Sequence, residues 1–310
     1  METYARDGLL ISEKEWRIFV AKLCEDVEEN LDLTLLKEKI ESAVLARAKI
    51  AGENIGLFFS GGVDSTLIGW ILKKNNIPFT AYTVGFQDEG TKMPEDVEES
   101  LTAAKELGFK QKIIMLNLEE ADEVFKECAK ILKDDTNVVS LGVGGVVFSA
   151  ARAAKKDRVT HFFGGLGSEE LFAGYQRHEA ANTTPDALQK ECRDGLANMW
   201  ARDFKRDCAL AESLGIILHT PFLDEELIKV AMAIPASEKI KERKNEKGEV
   251  ELVKKHCLRI VAEELGLTAS FAWRPKRAAQ YGSRLDSALD KLAKNEKLSS
   301  KSEYIIQILA

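Results

Sequence analysis

The sequence predicts an α/β protein in which a doubly wound parallel sheet is followed by a helical C-terminal half. Strand-like apolar runs alternate with helical segments from residue 54 to about residue 164, and this alternation is typical of parallel sheets. After Tyr175 the strand signal fades, and the remaining segments are rich in Ala, Leu, Glu and Lys at helical spacing. No long linker interrupts the chain, so we predict one domain over residues 1–310.

The first elements are read from apolar spacing. Between Trp16 and Arg47 apolar residues recur every three or four positions, which predicts two helices. The apolar run 54–60 predicts a buried strand, and a tight turn at Gly61 and Gly62 leads from it into a helix. The other predicted strands are 79–84, 112–116 and 160–164, and the other predicted helices are 94–108, about 121–132, about 146–156, 185–214, 223–234, 250–265 and 284–295.

Two segments are interpreted without assigning them chemistry. Gly142, Gly144 and Gly145 precede a predicted helix without a strand before them, and we interpret them as sites of close packing. Residues 239–251 mix both charges with a glycine, which indicates a solvated loop or a lid.

Composition excludes several classes of protein. Of 310 residues, 45% are hydrophobic, which rules out a disordered or fibrous chain, and the net charge of −7 argues against a nucleic-acid surface. The five cysteines form no Cys-x-x-Cys pair, so neither a zinc ribbon nor a disulfide framework is indicated. No signal peptide or long apolar segment is recognisable, and we therefore expect a cytoplasmic protein with no membrane association.

The segment 60–65, S-G-G-V-D-S, has the features of a phosphate-binding loop. It lies between a predicted strand and a helix, where free N–H groups and the helix dipole attract anions. Gly61 and Gly62 let the backbone approach a ligand, and Ser60 and Ser65 add hydroxyl donors. It is no Walker A loop, because the required spacing and lysine are missing. An ordinary capped glycine turn is the alternative.

This loop resembles the PP-loop of ATP pyrophosphatases, a fold group also described as adenine nucleotide alpha hydrolase-like. The resemblance implies that the loop binds the pyrophosphate of ATP and that Asp64 binds Mg²⁺.

The segment 164–175, G-G-L-G-S-E-E-L-F-A-G-Y, makes the resemblance more specific. It follows a predicted strand and opens a helix. Two acids at a helix start are explained by capping alone. However, the segment is similar to the G-E-G-S-D-E-L-F-x-G-Y motif of the asparagine synthetase family. That similarity implies that Glu169 is the second Mg²⁺-binding carboxylate and that the Gly165 backbone meets the nucleotide or acyl group.

Two later segments fit the same family in the same order. Residues 220–224, T-P-F-L-D, resemble its P-F-L-D segment, and residues 274–283 resemble its R-x-K-x-x-x-x-G segment, with Lys255 and Arg259 matching a preceding K-x-x-L-R stretch. Without the resemblance, R-P-K-R is a basic surface turn. The resemblance implies that Lys276 reaches the β- and γ-phosphates. It also implies that Phe59 and Val84 flank the adenine. Three regions follow from this prediction: a helical segment over about residues 1–50, a nucleotide-binding core over about residues 51–175, and a helical region over about residues 176–310 that completes the site.

The sequence departs from the family at two informative positions. Leu166 stands where the family has a glutamate, and His219 replaces an arginine before P-F-L-D. A leucine can neither accept a proton nor pair with an ammonium group, which puts aspartate as the substrate in doubt. The chain also shows no glutaminase domain with an N-terminal cysteine. It therefore looks closer to stand-alone archaeal and eukaryotic asparagine synthetase domain proteins.

The expected reaction is an ATP-dependent adenylation of a carboxylate, aspartate or a related acid, followed by amidation with ammonia or an amine. ATP and Mg²⁺ are the implied cofactors, with Asp64, Glu169 and Lys276 as the catalytic residues. Two alternatives stay open: another PP-loop enzyme, such as an NAD⁺ or GMP synthetase or a tRNA-modifying enzyme, and a non-catalytic ATP-binding protein. A separate glutaminase subunit and a homodimer also stay open as partners.

Overall fold

The computed structural model describes residues 2–6, 9–25, 27–244, 249–275 and 279–310. These residues group into two compact units, each assembled from three stretches of the chain. We name them the sheet unit (Ala51–Gly164, Lys205–His219 and Arg274–Ala310) and the helical unit (Met1–Ile50, Gly165–Phe204 and Thr220–Trp273). That the two act as one domain stays a prediction.

The strands are short, and most of them lie in the sheet unit. They are β1 (Ala5–Arg6), β2 (Leu9–Leu10), β3 (Ile55–Phe58), β4 (Phe79–Phe86), β5 (Gln111–Leu116), β6 (His161–Phe163), β7 (Ile217–His219), β8 (Ile240–Lys244) and β9 (Val250–Lys254).

Helices make up most of the remaining structure. They are α1 (Glu13–Leu23), α2 (Leu33–Ala51), α3 (Val63–Lys74), α4 (Glu95–Leu107), α5 (Leu118–Leu132), α6 (Val138–Lys156), α7 (Ser168–Leu171), α8 (Gln176–Ala181), α9 (Pro185–Ala197), α10 (Lys205–Glu212), α11 (Glu225–Ala233), α12 (Ala236–Lys239), α13 (His256–Glu264), α14 (Ala269–Ala272), α15 (Ala279–Gly282), α16 (Leu285–Asn295) and α17 (Lys301–Leu309). Short 3₁₀ turns at Lys133–Asp135 and Pro221–Leu223 and a π-helical turn at Trp200–Phe204 complete them.

The sheet of the sheet unit is parallel throughout and has the order β5-β4-β3-β6-β7. The predicted α/β fold class is therefore confirmed. In this order the first strand, β3, lies in the middle, and the chain extends the sheet first to one side and then to the other. Ligands of such sheets bind beyond the carboxyl ends of the two strands at which the order reverses. Those strands are β3 and β6.

The core of the sheet unit is continuous across one face of the sheet. Tyr82, Val84 and Phe86 of β4 point into it together with Phe125 of α5 and Phe148 of α6. The apolar run 54–60 predicts a buried strand because a parallel strand is covered on both faces, and β3 is largely buried.

Helix α6 is long and apolar enough to cross a membrane, and it alone meets that test in the described residues. Sixty-one per cent of its apolar stretch is buried inside the protein. Its glycines explain the burial: a Cβ on Gly144 would lie 2.9 Å from Leu210 Cδ1, and one on Gly145 would lie 3.1 Å from Phe125 Cε1. The interpretation of these glycines as sites of close packing agrees with these distances.

The helical unit is organised around aromatic side chains. Trp16 of α1 packs edge-on against Phe204 at 4.9 Å between ring centroids, and Tyr4 stacks on the same ring at 4.5 Å. The indole N–H of Trp16 donates to the carbonyl of Leu196 at 2.9 Å, so the buried polar atom of this large side chain is satisfied.

Several boundaries differ from the sequence prediction. Residues 250–254 form β9 rather than the start of a helix, and with β8 they make an antiparallel hairpin where a loop was expected over 239–251. Residues 245–248 of that segment lie outside the described residues. Helix α6 begins at Val138, about eight residues earlier than predicted, so the glycine cluster lies inside it. Strand β7 and helix α17 were not predicted.

Candidate active site

The loop 60–65 follows β3 and opens α3, as its sequence predicts. Gly61 has φ +69°, a conformation that favours glycine, and Gly62 is the N-cap of α3 without a side-chain cap. The first N–H groups of a helix have no partner within the helix, so those of α3 are available to an anion. The Ser65 hydroxyl donates to the Gly62 carbonyl at 3.3 Å and holds the turn closed.

A chain of hydrogen bonds fixes the backbone just before this loop. The carbonyl of Phe59 accepts from the Thr83 hydroxyl at 2.6 Å. The amide of Gln111 in turn donates to Thr83 Oγ1 at 2.9 Å and to the hydroxyl of Ser100 at 2.8 Å. Strands β3, β4 and β5 and helix α4 are thereby joined by side chains directly behind the loop. The loop is therefore held by the sheet rather than by its own sequence alone.

Arg274 lies beside the loop in the same unit. A Cβ on Gly61 would be 3.0 Å from Arg274 Nη1 and 3.1 Å from the backbone of Ser100, so a side chain at this position would crowd both residues. The other end of the guanidinium pairs with Glu99 at 2.8 Å. Burial lowers the pKa of Arg274 from its usual range, but a guanidinium remains charged at neutral pH. The loop thus has a fixed cation next to its glycine turn.

In the helical unit, Gly167 lies directly before the segment 168–175. It has φ +95° and caps α7. A Cβ there would lie 2.5 Å from Leu223 Cδ2, so this glycine allows the segments 164–175 and 220–224 to pack together. Asp224 caps α11 through a bond from the Glu226 N–H at 3.1 Å and pairs with Arg47 at 3.0 Å. These contacts give the P-F-L-D segment a structural role.

Glu169 forms a short ion pair with Lys255. The two atoms, Glu169 Oε1 and Lys255 Nζ, are 2.7 Å apart, and the Ser168 hydroxyl lies 3.3 Å from the same ammonium. The Lys255 side chain is 5% exposed and that of Glu169 is 22% exposed. A Cβ on Gly174 would lie 1.7 Å from Glu169 Oε2 and 2.3 Å from Lys255 Cε. The glycine of L-F-x-G-Y therefore makes room for this ion pair.

Glu170, the neighbouring acid, points the other way and is fully buried. Arg202 and Arg177 of the helical unit both reach its Oε1 atom. Burial raises the pKa of Glu170 to about 7 although Arg202 opposes the shift. Both arginines also lie over the ring of Tyr175, at 4.0 Å for Arg177 and 5.6 Å for Arg202. This second acid thus anchors α7 rather than facing a ligand.

His161 and His219 form a pair on β6 and β7. Their Nδ1 and Nε2 atoms are 2.8 Å apart, and the rings stack at 13°. One ring must donate a proton to the other, and burial together with His219 lowers the pKa of His161. The histidine that replaces the family's arginine is therefore engaged inside the sheet unit.

The sequence of this chain matches a known protein family. The sequence pattern described as asparagine synthase matches residues 35–215 and 181–305, which is most of the chain. The chain belongs to the asparagine synthase family. Its predicted resemblance to this family is thereby confirmed.

Relatives within the family cover the chain almost completely. A Methanocaldococcus jannaschii protein provisionally named asparagine synthetase (glutamine-hydrolyzing) 1 is 32% identical over 302 residues, which are 89% of this chain and 53% of that protein. Asparagine synthetase domain-containing proteins of Saccharomyces cerevisiae and Mus musculus are each 27% identical, covering 84% and 91% of this chain and 53% of each relative. The chain spans about half the length of these relatives. The NMN synthetase of Francisella tularensis is similar at a TM-score of 0.42 with 11% identity, over 90% of this chain and 93% of that one.

The predicted site residues of this asparagine synthase family member are distributed over both units. Ser60, Gly61, Gly62, Asp64 and Ser65 lie together in the sheet unit, as do Phe59 and Val84, which are 3% exposed each. Gly165, Leu166 and Glu169 belong to the helical unit. Lys276 lies outside the described residues. The roles of all these residues stay predictions.

The carboxylates offer a limited set of metal ligands. In the part of the chain that the structure describes, no group of three or more His, Cys, Asp and Glu side chains is arranged to hold a metal. Asp64, 4% exposed in the first turn of α3, and Glu169 are single carboxylates in separate units. Mg²⁺ is often bound by one or two carboxylates together with phosphate oxygens and water. The donor types therefore fit a metal that arrives with a nucleotide.

Two residues next to the predicted site were not assigned a role from sequence. Arg274 was recognised only as the start of the R-P-K segment, and Lys255 only as part of K-x-x-L-R. The Lys255 side chain is buried, at 5% exposure, and that of Arg274 is partly buried, at 13%. A basic residue within a matched motif indicates a functional role, but sequence alone does not reveal its partner. Arg274 and its partner Glu99 are 175 residues apart, and Lys255 and its partner Glu169 are 86 residues apart.

Proposed function

We propose that this protein is an ATP-dependent ligase that adenylates a carboxylate and then amidates it. The observation that supports this most strongly is the loop 60–65. It lies at the carboxyl end of β3, where the sheet order reverses, and it combines the N-terminal N–H groups of α3 with the Arg274 guanidinium. Backbone donors and a fixed cation are suited to a polyphosphate.

The proposed first step is an in-line displacement at the α-phosphorus of ATP. A carboxylate oxygen of the substrate attacks this phosphorus, and the bond between the phosphorus and the bridging oxygen to the β-phosphate breaks. Pyrophosphate leaves with the electron pair. The Arg274 guanidinium beside the loop would stabilise the charge that develops on the pyrophosphate. The family resemblance gives Lys276 the same role.

In the proposed second step, ammonia or an amine attacks the carbonyl carbon of the acyl-adenylate. AMP leaves with the electron pair of the C–O bond, and the nitrogen loses a proton to solvent or a base. A bound Mg²⁺ would neutralise phosphate charge, and Asp64 and Glu169 are the carboxylates proposed to hold it. Leu166 offers no proton acceptor at the position of the family's glutamate, so we propose an acid related to aspartate as readily as aspartate itself.

The decisive experiment is release of AMP and pyrophosphate from MgATP by the full chain. Aspartate and a panel of other carboxylates are each tested with ammonium. Asp64→Asn is expected to lower the rate roughly 10²-fold, by analogy with the loss of other groups that stabilise transition-state charge. Asp157→Asn is the matched control, since Asp157 belongs to the same unit but pairs with Lys112 at 2.8 Å, away from the loop.

Leu166 also favours one alternative, a protein that binds ATP without turning it over. In that case ATP would bind to the protein and no carboxylate would release AMP. That result would refute the ligase. AMP release with equal rates in the wild type and Asp64→Asn would refute the role of the loop.

A further inference from the structure

Lys255 occupies a position that is unfavourable for a lysine in three ways. Its φ of 58° is in the left-handed region, which costs a non-glycine residue about 1 kcal/mol. It is the N-cap of α13, where the helix dipole repels a cation. Its ammonium is also removed from water, since the residue is only 4% exposed.

The segment 168–174 supplies what holds it there. The backbone N–H of Lys255 donates to the carbonyl of Phe172 at 3.1 Å, and the ammonium meets Ser168 and Glu169. Gly174 provides the space for both side chains. Strained and buried polar residues of this kind are concentrated at functional sites, because the surroundings must specify them.

The ion pair conflicts with a metal at Glu169. Oε1 of Glu169 already bonds an ammonium at 2.7 Å, and Mg²⁺ would need an oxygen at about 2.1 Å. Two cations this close to one carboxylate repel each other strongly, all the more in a partly buried site. A metal that binds Oε1 of Glu169 therefore displaces the Lys255 ammonium, and a metal that binds Oε2 is repelled by it.

We propose that Lys255 and a divalent cation compete for Glu169, and that metal binding frees the Lys255 ammonium to pair with an oxyanion of the substrates. Until metal arrives, Lys255 acts as a positioning residue that keeps Glu169 neutralised, and after metal binding its ammonium contacts a substrate. This inference rests on the proposed function, because it takes the metal to be the one that accompanies ATP. The oxyanion belongs either to the carboxylate substrate or to a phosphate of ATP.

The test is a titration of the full chain with Mn²⁺, with free Mn²⁺ measured by electron paramagnetic resonance. Lys255→Met retains the length of the side chain and removes its charge. It should bind Mn²⁺ about tenfold more tightly than the wild type, because the competing ammonium is gone. This factor corresponds to about 1.4 kcal/mol of binding free energy. Lys254→Met is the matched control: Lys254 pairs with Glu179, and its removal should leave Mn²⁺ affinity unchanged.

Glu169 decides whether the effect is direct. In a Glu169→Gln background, Lys255→Met should no longer change Mn²⁺ affinity. Unchanged or weaker Mn²⁺ binding by Lys255→Met alone would overturn the proposal. A measurement on the wild type covers the case in which this variant does not fold: amine-reactive labelling followed by mass spectrometry should show increased modification of Lys255, but not of Lys254, when Mn²⁺ is added. Equal labelling of Lys255 with and without Mn²⁺ would likewise overturn it.

Steady-state kinetics then identify the oxyanion. A raised KM for the carboxylate in Lys255→Met assigns the ammonium to that substrate, and a raised KM for ATP assigns it to a phosphate. If neither KM changes, the freed ammonium pairs with no substrate, and that part of the proposal is wrong. The two proposals also fail separately. Competition between Mn²⁺ and Lys255 without any AMP release refutes the ligase and leaves the competition standing, whereas AMP release without competition does the reverse.

Discussion

Replacing Gly174 with alanine should destabilise the protein, although alanine usually improves on glycine. The backbone of Gly174 is not in the left-handed region, so a Gly→Ala change would by itself stabilise by about 0.4–1 kcal/mol. The new methyl group, however, would lie 1.7 Å from Glu169 Oε2 and 2.3 Å from Lys255 Cε. Ordinary contact begins at 3.4 Å. Both side chains must therefore move, and the present 2.7 Å geometry of the ion pair is lost.

The size of the effect follows from what is lost. Separating a buried ion pair costs about 3–5 kcal/mol. Because Glu169 retains 22% of its side-chain exposure, water replaces part of that loss, and we reduce the figure to about 2 kcal/mol. After the favourable backbone contribution, a net loss of about 1–2 kcal/mol in the free energy of unfolding remains.

Urea denaturation of the full chain measures this change. The control is the same substitution in a Glu169→Ala background, where the closest contact is absent and Lys255 is free to withdraw. There the cost of Gly174→Ala should fall below about 0.5 kcal/mol, the usual range for a substitution away from such features. A Gly174→Ala protein as stable as the wild type, or more stable, would refute the steric reasoning and with it the tight packing of the ion pair.

Three further predictions concern other residues. Gly61→Ala should weaken ATP binding roughly tenfold in calorimetry, because a left-handed alanine costs about 1–2 kcal/mol, which the free loop escapes by relaxing and must supply again to bind ATP. Unchanged affinity would contradict ATP binding at this turn. Arg274→Met should slow AMP release roughly 10²-fold while Arg152→Met, on α6 of the same unit, should not; equal rates would exclude Arg274 from the reaction. Burial lowers the pKa of His178 to about 3, so the free energy of unfolding that this histidine supports above pH 6.5 is lost on acidification. His178→Phe should reduce that loss by about 1.4 kcal/mol per pH unit in urea titrations between pH 6.5 and 5. Identical pH slopes for the variant and the wild type would contradict a buried neutral histidine.

The parts of the fold that the sequence predicted are those encoded locally. The apolar run 54–60 with two glycines after it specifies a covered strand and a turn, and both were found at β3 and Gly61. Helices such as α1 and α2 follow from apolar spacing in the same way. The prediction that the loop 60–65 binds phosphate could be made from sequence because its donors belong to consecutive residues, and it stays a prediction.

What failed depended on partners distant in sequence. Residues 250–254 contain good helix formers, yet they pair with 240–244 as a hairpin, and pairing overrides intrinsic preference. Strand β7 has three residues and gains its place from β6, so its own sequence gives little signal. The ion pair of Glu169 with Lys255 joins residues 86 positions apart. The residues next to Glu169 and Lys255 in sequence do not predict this contact. Gly174 is the one sign of it in the sequence, because the ion pair requires a small residue at that position.

The interleaving of the two units constrains how the protein can be made. The chain passes from one unit to the other at five peptide bonds, and the sheet unit is completed only by residues 274–310. During synthesis the helical unit cannot finish folding before residues 220–273 have left the ribosome, nor the sheet unit before residues 274–310, and no single truncation yields either one. Three of the passages, at 164–165, 219–220 and 273–274, fall inside or at the edge of the motifs that carry the family resemblance. Substitutions there are expected to act on folding as well as on the proposed chemistry, so an inactive variant at these positions is informative only when its folding has been measured beside its rate.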